Sequence, residues 1–309
     1  MSSKQKMYQE VESTIVDMLA TDSSFAHDGK SYTIVAGGKP MSPHGEPKTD
    51  AYARAVSDDG DVIEIKVSVK AGNADFFENK ISAKRAAEIF GEDWQPMMCD
   101  AASELSDVLS SRQLINKVGR GRVEPGSITL GWRCDILNKR SGDASVPFVT
   151  DVATKVEIIT GSTLPADKRD AYVNGVVTPG SGVANLVFCA DCGMPSDATE
   201  LLEMCVSPVE YAKQMPDMYL AAKAVNYRMI KAKCDGNRPL LVPVRWSADG
   251  GRMSAELRFD EPLEHGARDM CSSLLAAMHA LGIESVDDLP DEADAVSCDA
   301  ARAELAMAV

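Results

Sequence analysis

The segment TDAYARAVSDDGDVIEIKVSVK, residues 49–70, constrains the fold more than any other part of the chain. Two runs, 49–57 and 62–70, flank Asp-Asp-Gly-Asp, a combination that predicts a β-hairpin. In the returning strand Ile63, Ile65, Val67 and Val69 alternate with Glu64, Lys66, Ser68 and Lys70, so one face is apolar and the other carries charge. An edge strand on a wet surface has this pattern. A hairpin that holds catalytic carboxylates and lysines has it too.

The surroundings define an α/β chain. Met7, Val11, Ile15, Met18 and Leu19 recur at helical spacing, which predicts a helix over 4–20. SYTIVAGG reads as a strand stopped by glycines, and NADFFENKISAKRAAEIFG as a helix capped by Asn73 and ended at Gly91. A further helix is expected over about 99–117. Residues 127–190 read as strand-rich, with SITLGWRCDIL, KVEIIT, DAYVNGVV and VANLVFC as the segments. Helix is expected on both sides of Pro216. A second hairpin turns at SADGG, and HGARDMCSSLLAAMHALG is a late helix. The tail after it holds eight acids from Glu284 onward against Arg302 alone and reads as poorly ordered.

Composition narrows the function classes. At 309 residues the chain can build one large or two modest cores. No apolar run approaches the roughly 20 residues that cross a bilayer, and the N-terminus lacks the apolar centre of a signal peptide, so a cytoplasmic protein is expected. Eight scattered cysteines are then expected as reduced thiols. Cys189 and Cys192 have the spacing of a metal knuckle, but a second close pair is missing, so structural zinc is not expected there. A net charge of −15 argues against nucleic-acid binding. The charge is uneven, however: Arg120 and Arg122 cluster in NKVGRGR, and Arg228, Lys231 and Lys233 follow one another closely.

The charged face of the hairpin suits phosphodiester hydrolysis. That reaction commonly uses a divalent ion to make hydroxide and to offset charge gathering on phosphorus. Mg²⁺ takes hard oxygen ligands, one or two carboxylates plus water and phosphate. Asp50 lies at the start of the first strand, and Glu64 and Lys66 stand two apart on the second, facing one side. The register decides whether they can meet. A three-residue loop near Asp59-Gly60 sets Asp50 opposite Lys70 and leaves Lys66 about 13 Å along the sheet, at about 3.3 Å per residue. A two-residue turn sends Asp50 to the face opposite Glu64. Either a bulge repairs the register, or the working pair is Asp50 with Lys70 and Ser68 occupies the acid position. Glu46, Asp75 or Glu78 would then have to supply the missing carboxylate.

Asp50 followed after thirteen residues by Glu64-Ile65-Lys66, on a hairpin with helices on either side, resembles the PD-(D/E)XK nuclease superfamily. The wider string GEPKTDAY…KVSVK…NADFFENK resembles phage and bacterial proteins placed in or near it. The resemblance covers about the first 90 residues. It implies a restriction-endonuclease-like core of helix, three strands, helix and strand. It also implies a Mg²⁺- or Mn²⁺-dependent endonuclease acting on DNA, with Asp50, Lys70, Lys66 and Glu64 catalytic and Asp50, Glu64 and Glu46 as metal ligands. In this reading residues 1–120 form the nuclease-like core and 121–283 a strand-rich and helical part. That part would contact DNA through Arg120, Arg122, Arg228, Lys231 and Lys233 and could support a homodimer. Residues 284–309 form the acidic tail. The alternative is a catalytically inactive, acidic, phage-type protein that inhibits or scaffolds a host nucleic-acid-handling factor.

Overall fold

The computed structural model describes residues 3–70, 76–121, 123–215, 217–291 and 294–297. The chain is mixed α/β and divides into two compact units, each drawn from two stretches of sequence: 1–75 with 150–216, and 76–149 with 217–309. Residue 120 thus falls inside the second unit.

The first unit opens with helix α1, Ser3–Met18, followed by strands β1 (Ser24–His27), β2 (Lys30–Gly38), β3 (Ala51–Ser57) and β4 (Val62–Lys70). These four form an antiparallel meander in sequence order, and the Leu186–Cys189 strand joins the β4 edge in parallel. Between β4 and that strand, within this unit, lies the helix Val152–Thr160. The alternation in the hairpin produces the core directly. Ala51, Ala53 and Ala55 of β3, with Ile65, Val67 and Val69 of β4, pack with Ile15 of α1, Leu19 just after it and Phe188 in one buried cluster. Close approach of α1 to the sheet requires Gly37, where a Cβ would sit 1.9 Å from the Leu19 carbonyl oxygen.

KVEIIT is helix, not strand. Asp151 caps it by accepting the Thr154 N–H at 2.7 Å, and Gly161 ends it at φ +72°. Its apolar residues serve a helix face, a reading that a short apolar run leaves open.

The second unit is built on a nine-stranded sheet among the described residues. Its centre is the long antiparallel pair Ser127–Leu137 and Met218–Arg228. The second of these corrects the expected helix after Pro216. Ala221, Ala222 and Ala224 favour helix locally, but the whole run from Tyr219 to Arg228 is paired against the first strand, and tertiary pairing overrides propensity. The helix expected from Asn73 also differs: Phe76–Asn79 is a strand on the Ser127–Leu137 edge, and the helix Ala83–Phe90 starts one turn later with Ser82 as its cap. The expected cap, Asn73, lies outside the described residues. The helix expected over 99–117 is shorter and earlier, Trp94–Glu104, followed by Ser106–Ser110. Of the acidic tail, Asp294–Ser297 is a strand parallel to Arg252–Leu257. Cys234 and Cys271 lie close to each other with Cα atoms 7.1 Å apart, wider than the roughly 4.4–6.8 Å that a disulfide spans.

Candidate active site

The β3–β4 turn occupies Asp58–Gly60. Ser57 N–H donates to the Asp61 carbonyl at 2.9 Å, and Ser57 Oγ accepts from Asp61 N–H at 3.0 Å. Lys30 of β2 binds Asp59 and Asp61 together and neutralises the acid-rich turn. This turn sets Tyr52 across from Lys66 and Arg54 across from Glu64. Extended by two, the register brings Asp50 opposite Ser68, not Lys70, with Lys66 and Lys70 each about 7 Å along β4 at 3.3 Å per residue.

Asp50 is tied to the end of β4. Its N–H donates to the Val67 carbonyl at 2.8 Å, and its carboxylate Oδ2 accepts the Val69 N–H at 2.7 Å. Burial pushes its pKa up to about 6. The Lys70 charge and the Val69 N–H work against that rise, whereas the nearby Glu12 carboxylate adds to it and Lys39 opposes it. Glu12 is a buried residue of α1, ion-paired with Lys39 just beyond β2. Burial acts to lower the Lys39 pKa, but the Glu12 pair, with Glu46 and Asp50 nearby, leaves it raised. Tyr8 of α1 donates to the Val69 carbonyl at 3.0 Å and so docks the helix at the same end of β4. Ser68 is buried, and its Oγ has no hydrogen-bond partner among the described residues. The result is a compact polar group of Glu12, Lys39, Asp50 and Lys70, with Glu46 exposed at its margin.

Glu64 and Lys66 form a separate arrangement. Lys66 Nζ pairs with Glu64 Oε2 at 3.3 Å, and Tyr52 donates to Glu64 Oε1 at 2.8 Å. The Asn185 side chain extends the β4 ladder, accepting from Lys66 N–H and donating to the Glu64 carbonyl, both at 2.8 Å. Glu64 lies about 13 Å along β4 from Ser68, so the structure brings Asp50 together with Lys70 but does not bring Glu64 to it. Asp75 lies outside the described residues. Glu78 belongs to the second unit, where it binds Arg85 at 2.9 Å.

Sequence reasoning missed Glu12 and Lys39. Glu12 sits between Val11 and Ile15 on the helix stripe that packs into the core, and an acid at such a position is the signal that could have found it.

Two of the basic residues expected to contact DNA are neutralised within the second unit. Arg228 pairs with Asp235 at 2.6 Å and Glu124 at 2.8 Å, and Lys231 also binds Glu124. Lys233 is exposed on a two-residue strand, Arg120 is exposed in a turn that bridges to Val123, and Arg122 lies outside the described residues. Cys189 is half-buried and Cys192 exposed. Burial, with Cys189 nearby, pushes the Cys205 thiol up to about 12. Among the described residues, no group of three or more His, Cys, Asp and Glu side chains is placed to hold a metal ion.

Compared with known proteins, the chain matches no family model, no curated protein and no solved structure. No described helix is long and apolar enough to cross a membrane.

Proposed function

We propose that the first unit is a metal-dependent phosphodiester hydrolase acting on DNA, with a restriction-endonuclease-like core. The observation that carries the reading is the Asp50 carboxylate, fixed on the end of β4 beside Lys70 and Glu12. The topology supports it. Within the unit the order is α1, the four strands β1 to β4, the helix Val152–Thr160, a short helix and a two-stranded hairpin, and then a strand parallel to β4, so the expected helix, three strands, helix and strand occur in sequence but with an added first strand and an insertion before the last. In this reading Val152–Thr160, which follows residues 76–149 of the second unit in sequence, stands in for the helix expected at 73–91.

Two carboxylates, Asp50 and Glu12, are available to a Mg²⁺ or Mn²⁺ ion, although no group of three or more ligating side chains is assembled among the described residues. These ions need one or two carboxylates, with water and substrate phosphate completing the shell. Asp50 and Glu12 would hold the ion, with Glu46 as a further carboxylate at the margin, and the buried, unpartnered Ser68 hydroxyl stands where the superfamily pattern has an acid. When bound, such an ion supplies an activated water and offsets charge on the phosphate. Lys70 positions the attacking water and offsets negative charge on the scissile phosphate. Lys39 holds Glu12 in place and keeps the pocket from carrying two uncompensated carboxylates. Glu64 and Lys66, bound to each other, support the hairpin.

The test is cleavage of plasmid and oligonucleotide substrates with Mg²⁺ or Mn²⁺, comparing wild type with Asp50→Ala, Lys70→Ala and Lys66→Ala. The expected result is loss of cleavage with the first two and retention with the third. No metal-dependent cleavage of any DNA or RNA offered would overturn the reading in favour of the acidic binding protein.

A further inference from the structure

The second unit contains a cleft of about 570 Å³, a size that suits a nucleotide or a short stretch of strand. Its lining includes Ser110, Arg112, Gln113, Lys117, Arg120 and Asp291. Three cations and one acid line it, with Asp143 beside Arg112 and Asp288 near Lys117 just outside the lining. The floor is preformed. Leu114 and Ile115 are buried, the Leu114 carbonyl accepts from Thr129 N–H at 2.8 Å, and Ile115 pairs with Ile128 of the central sheet.

The cations retain donors for a ligand. Lys117 Nζ donates to the Leu289 carbonyl at 2.9 Å and keeps two further N–H groups. Arg112 meets Asp143 in a pair in which both side chains are largely exposed, a contact that a bound anion can displace at little cost. Arg120 is exposed and has no ion-pair partner among the described residues, unlike Arg228 and Lys231, which Glu124 and Asp235 neutralise. Guanidinium groups present forked N–H donors that match phosphate oxygens, and an ammonium adds point charge.

We infer that this cleft is a binding site for phosphate groups, held by Arg112, Lys117 and Arg120. The phosphates come either from the backbone of a nucleic-acid strand or from a free nucleotide. The inference goes beyond the hydrolase reading and does not depend on it, because the cleft belongs to the second unit and its occupancy requires no chemistry at Asp50.

The test is direct binding to the full chain in EDTA at low salt, with inorganic phosphate, AMP, ATP and a fluorescent single-stranded oligonucleotide as separate probes. At least one probe is expected to bind, and Arg112→Ser/Arg120→Ser to weaken it roughly tenfold or more, with an unchanged melting temperature. Asp291→Asn is expected to tighten binding roughly two- to fivefold by removing the opposing charge. Binding of the oligonucleotide alone identifies the strand backbone as the source, and binding of nucleotide or phosphate as well identifies the free ligand. Absence of binding to every probe overturns the inference, as does equal affinity in the double variant. Because binding is read in EDTA, where no cleavage is expected, a chain that binds through these arginines but cuts no DNA in the separate Mg²⁺ and Mn²⁺ assay would refute the hydrolase and leave this site standing.

Discussion

Replacing Asp50 by asparagine is expected to stabilise the first unit above neutral pH while removing activity. The Asp50 carboxyl is held near 6 in the fold, against an ordinary value of 3.8, because burial disfavours its charge more than Lys70 and the Val69 N–H favour it. Between those two values the folded chain keeps a proton that the unfolded chain has released. Stability therefore falls as pH rises from about 4 to about 6, and stays lower beyond that. The gap corresponds to about 3 kcal/mol at 1.36 kcal/mol per pKa unit. Partial solvent access at this half-buried site reduces that to roughly 2 kcal/mol. Asparagine has the shape of the carboxyl and can still accept the Val69 N–H, but it never ionises. The stability difference between variant and wild type should therefore be larger by roughly 2 kcal/mol at pH 8 than at pH 4, equivalent to about 5–10 °C in melting temperature for a unit of this size. Urea melts in EDTA at both pH values measure it. A difference that does not change with pH would show that Asp50 is not an ionised, desolvated group and would remove the physical basis of the proposed site. Repeating the pH 8 melts with Mg²⁺ at about a hundred times its dissociation constant should raise wild type by about 2.7 kcal/mol and leave Asp50→Asn unmoved.

Tyr52→Phe removes the hydrogen bond to Glu64 from a buried phenol and should cost about 1–2 kcal/mol in urea unfolding while sparing cleavage, since Glu64 stands apart from Asp50. Asn185→Ala deletes both side-chain bonds to β4, so hydrogen exchange of the Lys66 amide should speed up and stability drop by about 1–2 kcal/mol. In the second unit Arg85→Met removes the guanidinium that binds the poorly exposed Glu78 and Glu88 and should cost about 3 kcal/mol, whereas Glu78→Gln with Arg85→Met should recover part of the loss, read by denaturant melts of the three proteins.

The parts of the fold legible in the sequence are those whose local chemistry and tertiary role agree. The α1 stripe, the β3–β4 alternation, the SADGG hairpin and the late helix all fall there. In each, the residues that favour the element also supply its buried face. Met218–Arg228 was illegible for the opposite reason. Its alanines favour helix, and only a partner strand some ninety residues earlier makes it a strand. KVEIIT failed through its length: six residues with three apolar positions carry no distinguishable period, and the deciding signals were Asp151 before it and Gly161 after it.

The candidate site shows the same division at finer scale. That Asp50 and the alternate residues of β4 share a face follows from parity alone, but which lysine stands beside Asp50 depends on the turn. A shift of one residue would reverse the faces, and a shift of two exchanges the partner. The turn is centred on Asp59 because Lys30, on a different strand, neutralises Asp59 and Asp61, and because Ser57 closes the loop with both its backbone and its hydroxyl. None of that is visible in the hairpin segment by itself. Glu12 is harder still, since helical spacing alone makes it one more residue on α1, and it becomes a partner of the site only when Tyr8 and the apolar stripe dock that helix against the end of β4. The conventional acid-x-lysine pair therefore drew attention to Glu64 and Lys66, while the group that the fold assembles is drawn from a helix, a loop and the two strand ends.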